Sequence, residues 1–231
     1  MKENVEHIYS SIKTRILRGE YPPSSKINAK KLSESFGISR IPIRDVINRL
    51  CGEGLVQKGS NGRFLVKPLD EMDIRETFEL RAILEGHLMI EAAANFGTDD
   101  IELLEENLKQ QEEAKNNIER TIQLNAEFHE YFYKATENKK FLGILKGWDD
   151  YQYRYDRINW LLNGSILTNL TISQHREIVD AVRKRNGELA QKILKLHRGT
   201  GAEFLVRAFR ESKDFTFPLS DDNHYGSTIA F

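Results

Sequence analysis

Apolar residues recur at intervals of three and four along most of the chain, which is the spacing of helices that bury one face. The pattern predicts helices over residues 4–19, 28–36, 39–53, 70–95, 98–116, 118–136, 139–162, 171–186 and 187–212. A strand-like pattern occurs at Leu55–Lys58 and Arg63–Lys67, which flank Gly59-Ser60-Asn61-Gly62 and predict a hairpin. The chain is therefore expected to be mainly α-helical, with a small two-stranded wing.

The spacing of turn residues changes near Pro68. Before it, short helical patterns alternate with turns, whereas almost everything from Asp70 to Lys213 follows long amphipathic helices. This change predicts a first domain over 1–68 and a helical domain over 69–213. The segment 214–231 holds Pro, Ser, Asp, Asn and Gly without periodicity, so an irregular tail is expected there.

Charge is distributed unevenly between the two predicted domains. Residues 1–67 hold seven Lys and six Arg against six acidic residues, a net charge of +7, so the remainder carries −8 to give the total of −1. A basic domain on an acidic one points to a polyanionic partner at one end of the protein.

The single cysteine, Cys51, excludes an intrachain disulfide framework and fits a reducing compartment. No apolar run approaches the roughly 18 residues that span a bilayer, and the sequence starts without a signal-peptide pattern. We therefore expect a cytoplasmic protein with no membrane partner.

Two short helices in the basic domain are joined by a tight turn. Asn28 is positioned to cap the first helix and Gly37 to end it, and Ser39 is predicted to cap the second. The second helix tolerates Pro42 because it falls in the first turn. It turns one set of residues inward, namely Ile43, Val46, Ile47 and Leu50, and another outward, namely Arg40, Arg44, Asp45 and Asn48. Two such helices followed by a basic hairpin indicate a winged helix-turn-helix.

The exposed residues of this motif suit DNA. Arg40 and Arg44 can reach guanine bidentately in the major groove, while Arg63 at the wing tip can enter the minor groove. Phosphate contacts are expected mainly from lysine and serine. The predicted DNA-binding set is Lys30, Ser39, Arg40, Pro42, Arg44, Asn48, Lys58, Gly62 and Arg63. A three-helix packing module with solvated arginines, or a protein-binding winged helix, would show the same pattern.

A family resemblance rests on three stretches of the basic domain. They are Ile16-Leu17-Arg18-Gly19-Glu20-Tyr21-Pro22-Pro23, Leu32-Ser33-Glu34-Ser35-Phe36-Gly37-Ile38-Ser39-Arg40-Ile41-Pro42-Ile43-Arg44-Asp45, and Arg49-Leu50-Cys51-Gly52-Glu53-Gly54-Leu55-Val56. Together they closely resemble the GntR family of bacterial transcription regulators. The family usually has Pro-Gly in place of Pro23-Ser24 and Glu-Ala in place of Asp45-Val46.

In the helical domain, polar residues interrupt the apolar stripes. Asn125 and His129 share a face one turn apart, and His175 and His197 lie on the stripes of two later helices. One divalent metal would satisfy several buried imidazoles at once. Spacing alone leaves open whether these residues bind a metal or are unrelated core histidines.

Arg81 sits on an otherwise apolar helix face. A buried guanidinium needs a partner, so Arg81 pairs with Glu85 one turn away or awaits an anionic effector. Because its fork matches a carboxylate, a small organic acid is the natural candidate. The two interpretations have equal weight from sequence.

This domain also resembles a known one. Glu79-Leu80-Arg81-Ala82-Ile83-Leu84-Glu85, Phe128-His129, Asn138 and the interval from His175 to His197 are similar to the FCD ligand-binding domain of the FadR subfamily. The resemblance implies a helical bundle around a cavity, carboxylate effectors, and a divalent metal such as zinc, nickel or manganese on Asn125, His129, His175 and His197. The family usually has Asp at the position of Asn125, and a neutral amide oxygen is the weaker ligand.

These patterns together predict a homodimeric regulator, whose recognition helices contact the half-sites of double-stranded operator DNA and whose body binds a small effector. Two other classes of protein fit part of this pattern. A metal-dependent enzyme could use the histidines to activate water, but no paired carboxylate or nucleophile signature accompanies them. An architectural DNA-binding protein would have a purely structural body.

Overall fold

The computed structural model describes residues 2–59 and 62–211 of the chain. The chain divides into two compact units, with the boundary between Leu69 and Asp70. Ser60 and Asn61 of the predicted hairpin turn, and the predicted irregular tail 214–231, lie outside the described residues.

The first unit combines three helices with a small antiparallel sheet. Its elements are α1 (Lys2–Leu17), β1 (Lys26–Ile27), α2 (Ala29–Phe36), α3 (Arg40–Gly52), β2 (Val56–Lys58) and β3 (Phe64–Val66). The sheet order is β1-β3-β2, so the predicted hairpin β2–β3 gains a third, two-residue strand on its other side. A strand of two residues has no detectable period, which is why the sequence pattern missed it. The winged helix-turn-helix is confirmed.

The two short helices begin differently. The Asn28 side chain accepts hydrogen bonds from the backbone N–H groups of Lys30 and Lys31, and Gly37 ends α2 with a φ of 65°. The prediction that the Ser39 side chain caps α3 is wrong: Ser39 occupies the capping position but makes no capping hydrogen bond. A capping side chain usually bonds the second or third backbone N–H of the helix, and the third belongs here to Pro42, which has none.

The second unit is entirely helical over its described residues. It comprises α4 (Glu71–Asn95), α5 (Thr98–Glu113), α6 (Ile118–Tyr131), a 3-10 turn (Phe132–Ala135), α7 (Lys139–Lys146), α8 (Asp149–Arg183) and α9 (Gly187–Glu211). The core includes Leu88, Phe128, Phe132, Leu145, Ile178 and Leu194, all fully buried. The predicted helical bundle is confirmed.

Helix α8 differs most from the sequence pattern. The predicted helix 139–162 is interrupted at Gly147 and Trp148, and the predicted gap after residue 162 is instead bridged by a continuing helix with a bend at Gly164. Gly164 has φ 49° and ψ −130°, which a side-chain-bearing residue rarely adopts. No described helix has a stretch that is long and apolar enough to cross a membrane.

Helices α4 and α9 approach each other closely at Gly187. A Cβ atom added there would lie 2.9 Å from the Cα of Ile90, which is backbone and cannot rotate away. We expect Gly187→Ala to lower the free energy of unfolding by about 1–3 kcal/mol through overpacking. Gly199→Ala on the same helix meets nothing within 4 Å and is expected to stabilise by up to about 1 kcal/mol. Urea denaturation of both variants measures the difference, and equal effects would contradict the close approach.

Candidate metal centre and nucleic-acid interface

Helix α3 presents one polar stripe away from the core. Arg40, Arg44 and Asn48 are exposed at successive four-residue intervals, whereas Ile43 and Ile47 are fully buried. Among the described residues, Arg40 and Arg44 make no hydrogen bond or ion pair. Their guanidinium groups are therefore available to a ligand outside the unit, as base-reading arginines must be.

A third arginine of α3 has a structural role. Arg49 donates to Glu6, lies 3.3 Å from Glu53, and has its guanidinium carbon 3.5 Å from the centre of the Tyr9 ring. These contacts tie α3 to α1, and they separate Arg49 from the two arginines of the stripe.

The other predicted DNA-binding residues lie on the surface of the first unit. Ser39, Lys30, Lys58, Gly62 and Arg63 are exposed, and Pro42 is half-buried. Lys30 has a long ion-pair contact of 3.9 Å with Glu34 on its own helix. Gly62 has a φ of 73°, which shapes the wing turn.

Ile41 was missed by the sequence analysis. It is 74% exposed, beside Arg40 in the first turn of α3. An exposed isoleucine on a DNA-reading helix is suited to contact a thymine methyl group. Ile41 lies outside the buried stripe of α3, and this position could have identified it as an exposed residue.

Three histidines converge in the core of the second unit. His129 on α6, His175 on α8 and His197 on α9 are buried, and they offer ligand atoms that all lie within 4.8 Å of one another. The ring centres of His175 and His197 are 4.7 Å apart, and Phe128 stacks on His175 at 3.8 Å. Helical spacing thus brings together side chains that are 46 and 22 residues apart in the sequence.

Each imidazole turns its Nδ1 towards an acceptor. His175 Nδ1 is hydrogen-bonded to Gln111 Oε1 at 3.1 Å, and His197 Nδ1 to Gln174 Oε1 at 3.0 Å. His129 Nδ1 lies 3.3 Å from Glu85 Oε2, outside hydrogen-bond geometry. Outer acceptors of this kind fix the tautomer of metal-binding histidines and leave Nε2 as the ligand atom.

The histidines are neutral in this environment. Burial lowers the pKa of His129 to about 4, with Arg198 adding to the effect and Glu85 opposing it. Burial also holds the pKa values of His175 and His197 well below the usual range. Neutral imidazole is the form that ligates metals.

Several buried polar atoms at this place have no partner. They include Nε2 of His129, Nε2 of His175 and Oδ1 of Asn125, which lies one turn before His129 on α6. An unpaired buried polar atom costs about 1–3 kcal/mol. Three imidazole nitrogens and one amide oxygen form a donor set that fits a divalent transition metal, and binding would satisfy the unpaired atoms.

Beside the histidines lies a buried charge network centred on Glu85. Arg198 donates two hydrogen bonds to Glu85 Oε2, at 2.9 and 2.6 Å, and Arg81 donates one to Glu85 Oε1 at 2.7 Å. Arg81 also donates to Asp149 and to the Tyr133 hydroxyl. Burial alone would raise the pKa of Glu85, but the two arginines outweigh it and hold that pKa well below its usual range. The sequence left two interpretations of Arg81, a salt bridge with Glu85 or a site for an anionic effector. The structure contains the salt bridge.

A small cavity with both polar and apolar side chains in its wall adjoins the histidine centre. Its volume is about 20 Å³, and its wall includes Asn125, Asp156, Asn159, His197 and Arg198. A cavity of this size has room for about one water molecule. An organic effector would therefore have to displace side chains on entering.

Four residues of this region escaped the sequence analysis: Gln111, Gln174, Asp156 and Arg198. Gln111, Gln174 and Asp156 are polar residues on otherwise buried helix faces, and that was a readable signal. Arg198 directly follows a candidate ligand. Burial raises the pKa of Asp156 to about 6, with Arg198 and Gln152 opposing the shift.

Comparison with known proteins assigns both units. The FCD domain family matches residues 76–200, and the family described as bacterial regulatory proteins, gntR family, matches residues 4–66. The HTH-type transcriptional regulator YdhC of Bacillus subtilis is 29% identical over 212 residues, which cover 89% of this chain and 92% of that protein. The HTH-type transcriptional repressor RspR of Escherichia coli is 21% identical over 216 residues, covering 91% and 92%.

A solved structure shows the same fold. E. coli McbR/YncC superposes with a TM-score of 0.71 at 17% identity, covering 89% of this chain and 98% of that one. The helix-turn-helix with its wing, the helical body and both family matches lead to one conclusion: this chain is a transcription regulator of the GntR family that carries an FCD domain, the class to which the FadR subfamily belongs.

Proposed function

We propose that the protein binds operator DNA sequence-specifically through α3, and that a small effector in the FCD domain changes this binding. The observation that carries the DNA-binding half is the exposed stripe of Arg40, Arg44 and Asn48, whose arginines have no partner among the described residues. Lys30, Ser39 and Lys58 would contact phosphates, Gly62 and Arg63 would approach the minor groove, and Pro42 would set the first turn of α3. Such a protein acts on the chromosome, and so in the cytoplasm.

The FCD domain would hold a divalent metal on Asn125, His129, His175 and His197. Three imidazoles favour zinc or nickel over manganese, which prefers oxygen ligands. When bound, the metal would supply a Lewis-acidic centre for an oxygen of the effector. Gln111 and Gln174 hold the rings of His175 and His197 by their Nδ1 atoms, and this leaves both Nε2 atoms for the metal.

The effector class that fits best is a small organic acid. Arg198 lines the cavity and pairs with Glu85, the carboxylate to which Arg81 also donates. Because both guanidinium groups are already paired with Glu85, an entering carboxylate would compete with it for Arg198 rather than meet a free cation. Effector binding would thereby rearrange the α4–α9 contact, and the effector must favour one arrangement to change DNA affinity.

We further propose a homodimer. An operator of two half-sites matches two copies of α3 related by a two-fold axis. Ile83 and Ile90 lie two turns apart on α4 and are 60% and 40% exposed, which suits them to a contact with a second copy. The relatives are named as transcriptional regulators, and this supports regulation rather than turnover as the role of the histidine centre.

A thermal-shift experiment tests the metal and effector sites together. We expect ZnCl₂ or NiCl₂ to raise the melting temperature of the EDTA-treated full chain, because a ligand that binds only the folded state stabilises it. A further rise is expected with members of an organic-acid library. His175→Ala should abolish the metal effect, whereas the exposed His87→Ala on α4 should retain it. If neither metal changes the melting temperature, the metal proposal is wrong. If no organic acid changes it, the result favours an architectural role for the protein.

A further inference from the structure

The amide of Asn125 is held in one orientation by a carboxylate from another helix. Asn125 Nδ2 donates to Asp156 Oδ2 at 3.0 Å, and both side chains are buried. A carboxylate only accepts hydrogen bonds, so the NH₂ end of the amide must face it. The carbonyl oxygen Oδ1 is thereby directed away from Asp156, and it is the end that has no partner.

Asp156 is itself fixed in place. Gln152, one turn earlier on α8, donates from Nε2 to Asp156 Oδ1 at 2.6 Å. Both hydrogen-bond partners of this carboxylate are therefore neutral amides, and among the described residues Asp156 makes no ion pair. The other buried carboxylate nearby, Glu85, is engaged by Arg81 and Arg198.

The proposed donor set does not compensate the positive charge of a metal ion. Three neutral imidazoles and one neutral amide would bring no negative charge to a divalent cation. A buried cation needs compensating charge at short range, because the low-dielectric interior does not screen it. Asp156 lies one hydrogen bond behind the amide ligand, where a carboxylate can both orient that ligand and offset the charge.

We propose that Asp156 is the positioning residue of the metal centre: it holds Asn125 with Oδ1 towards the metal and supplies the negative charge that the amide lacks. The inference rests on the proposed metal site. In this chain the carboxylate and the ligand oxygen belong to two side chains, Asp156 on α8 and Asn125 on α6.

The test is Zn²⁺ affinity of the full chain, measured by competition with a chromophoric chelator. We expect Asp156→Asn to weaken Zn²⁺ binding about 10- to 100-fold, as loss of an outer-shell partner typically does. The exchanged variant Asn125→Asp/Asp156→Asn retains one amide facing one carboxylate, and Gln152 can still donate to the amide oxygen at position 156. We expect it to bind Zn²⁺ at least as tightly as the original protein, because it keeps the hydrogen-bonded pair and its ligand oxygen at position 125 now belongs to a carboxylate. Asp73→Asn, which alters a half-buried carboxylate bonded to Tyr155, is the matched control and should bind Zn²⁺ unchanged.

Two further readouts separate positioning from folding. The melting temperatures of the metal-free variants show whether each one folds, and the visible absorption of the Co²⁺ form reports the ligand set directly. A Co²⁺ spectrum that loses intensity in Asp156→Asn and regains it in the exchanged variant supports the proposal. Unchanged Zn²⁺ affinity of folded Asp156→Asn would overturn this inference alone, as would an exchanged variant that folds but stays weak. Absence of Zn²⁺ binding by the original protein would overturn the metal site as well.

Discussion

Replacement of Glu85 by glutamine is expected to lower the free energy of unfolding by about 3–5 kcal/mol at pH 7, because it leaves two buried arginines without their shared carboxylate. Glu85 is 1% exposed, and Arg81 and Arg198 are 3% and 2% exposed. Glutamine keeps the shape of the side chain but carries no charge. Among the described residues Arg198 would be left without an ion-pair partner, whereas Arg81 would keep Asp149.

The free energy of unfolding that Glu85→Gln removes should decrease as the pH falls. The pKa of Glu85 in the folded protein is held well below its ordinary value of 4.5, so the folded state binds this proton less readily than the unfolded chain. The stabilisation is then fully present above pH 4.5 and is lost as the pH falls towards the folded-state pKa. The difference between original protein and Glu85→Gln should therefore be constant near neutrality and shrink in acid.

Urea denaturation at several pH values measures this effect. Glu79→Gln on the same helix changes an exposed glutamate, and we expect it to stay within about 0.5 kcal/mol of the original protein. If Glu85→Gln proved no more destabilising than Glu79→Gln, the carboxylate would not hold the two arginines together in solution.

Removal of Arg40 and Arg44, the exposed arginines of α3 that have no hydrogen bond or ion pair with a described residue, is expected to abolish sequence preference. A bidentate arginine–guanine pair discriminates against the wrong base by about 1–3 kcal/mol, roughly 5- to 150-fold in affinity. We expect Arg40→Ala and Arg44→Ala each to lose about that much on the preferred duplex and little on unrelated duplexes. The double variant should bind all duplexes at the non-specific level. Neither arginine makes a hydrogen bond or an ion pair with another described residue, so the fold should be unaffected.

Fluorescence anisotropy on duplexes selected from random DNA provides the measurement. Lys30→Ala is the matched control, because loss of a phosphate contact should weaken binding on every sequence and reduce the salt dependence by about one charge. A uniform loss on all duplexes for Arg40→Ala would assign Arg40 to the phosphates instead of the bases.

Local sequence patterns predicted most of the secondary structure. Apolar spacing located the helices, and Gly37 and Asn28 marked their ends correctly because caps depend on neighbouring residues only. The break at Gly147 and the continuation through Gly164 were misassigned. Both depend on how α7 and α8 pack, and local spacing does not contain that information.

The candidate metal centre was predictable only in part. Each histidine lies on an apolar stripe, and this signal is visible one helix at a time. Asp156 is 31 residues from Asn125, and Arg198 is 113 residues from Glu85, so their pairing appears only when the helices are assembled. The sequence left open whether Arg81 pairs with Glu85 or binds an anionic effector for the same reason. Glu85 could be seen one turn away from Arg81, but the sequence does not show that Arg198 also pairs with Glu85.

The bend at Gly164 divides helix α8 into two halves. Asp156 and Asn159 of the cavity wall precede the bend, whereas Gln174 and His175 follow it. A molecule too large for the present cavity could tilt the first half about this hinge while the second half keeps its imidazole in place. Because Asp156 holds Asn125 from the first half, such a tilt would change the room for a metabolite and the orientation of the amide ligand together.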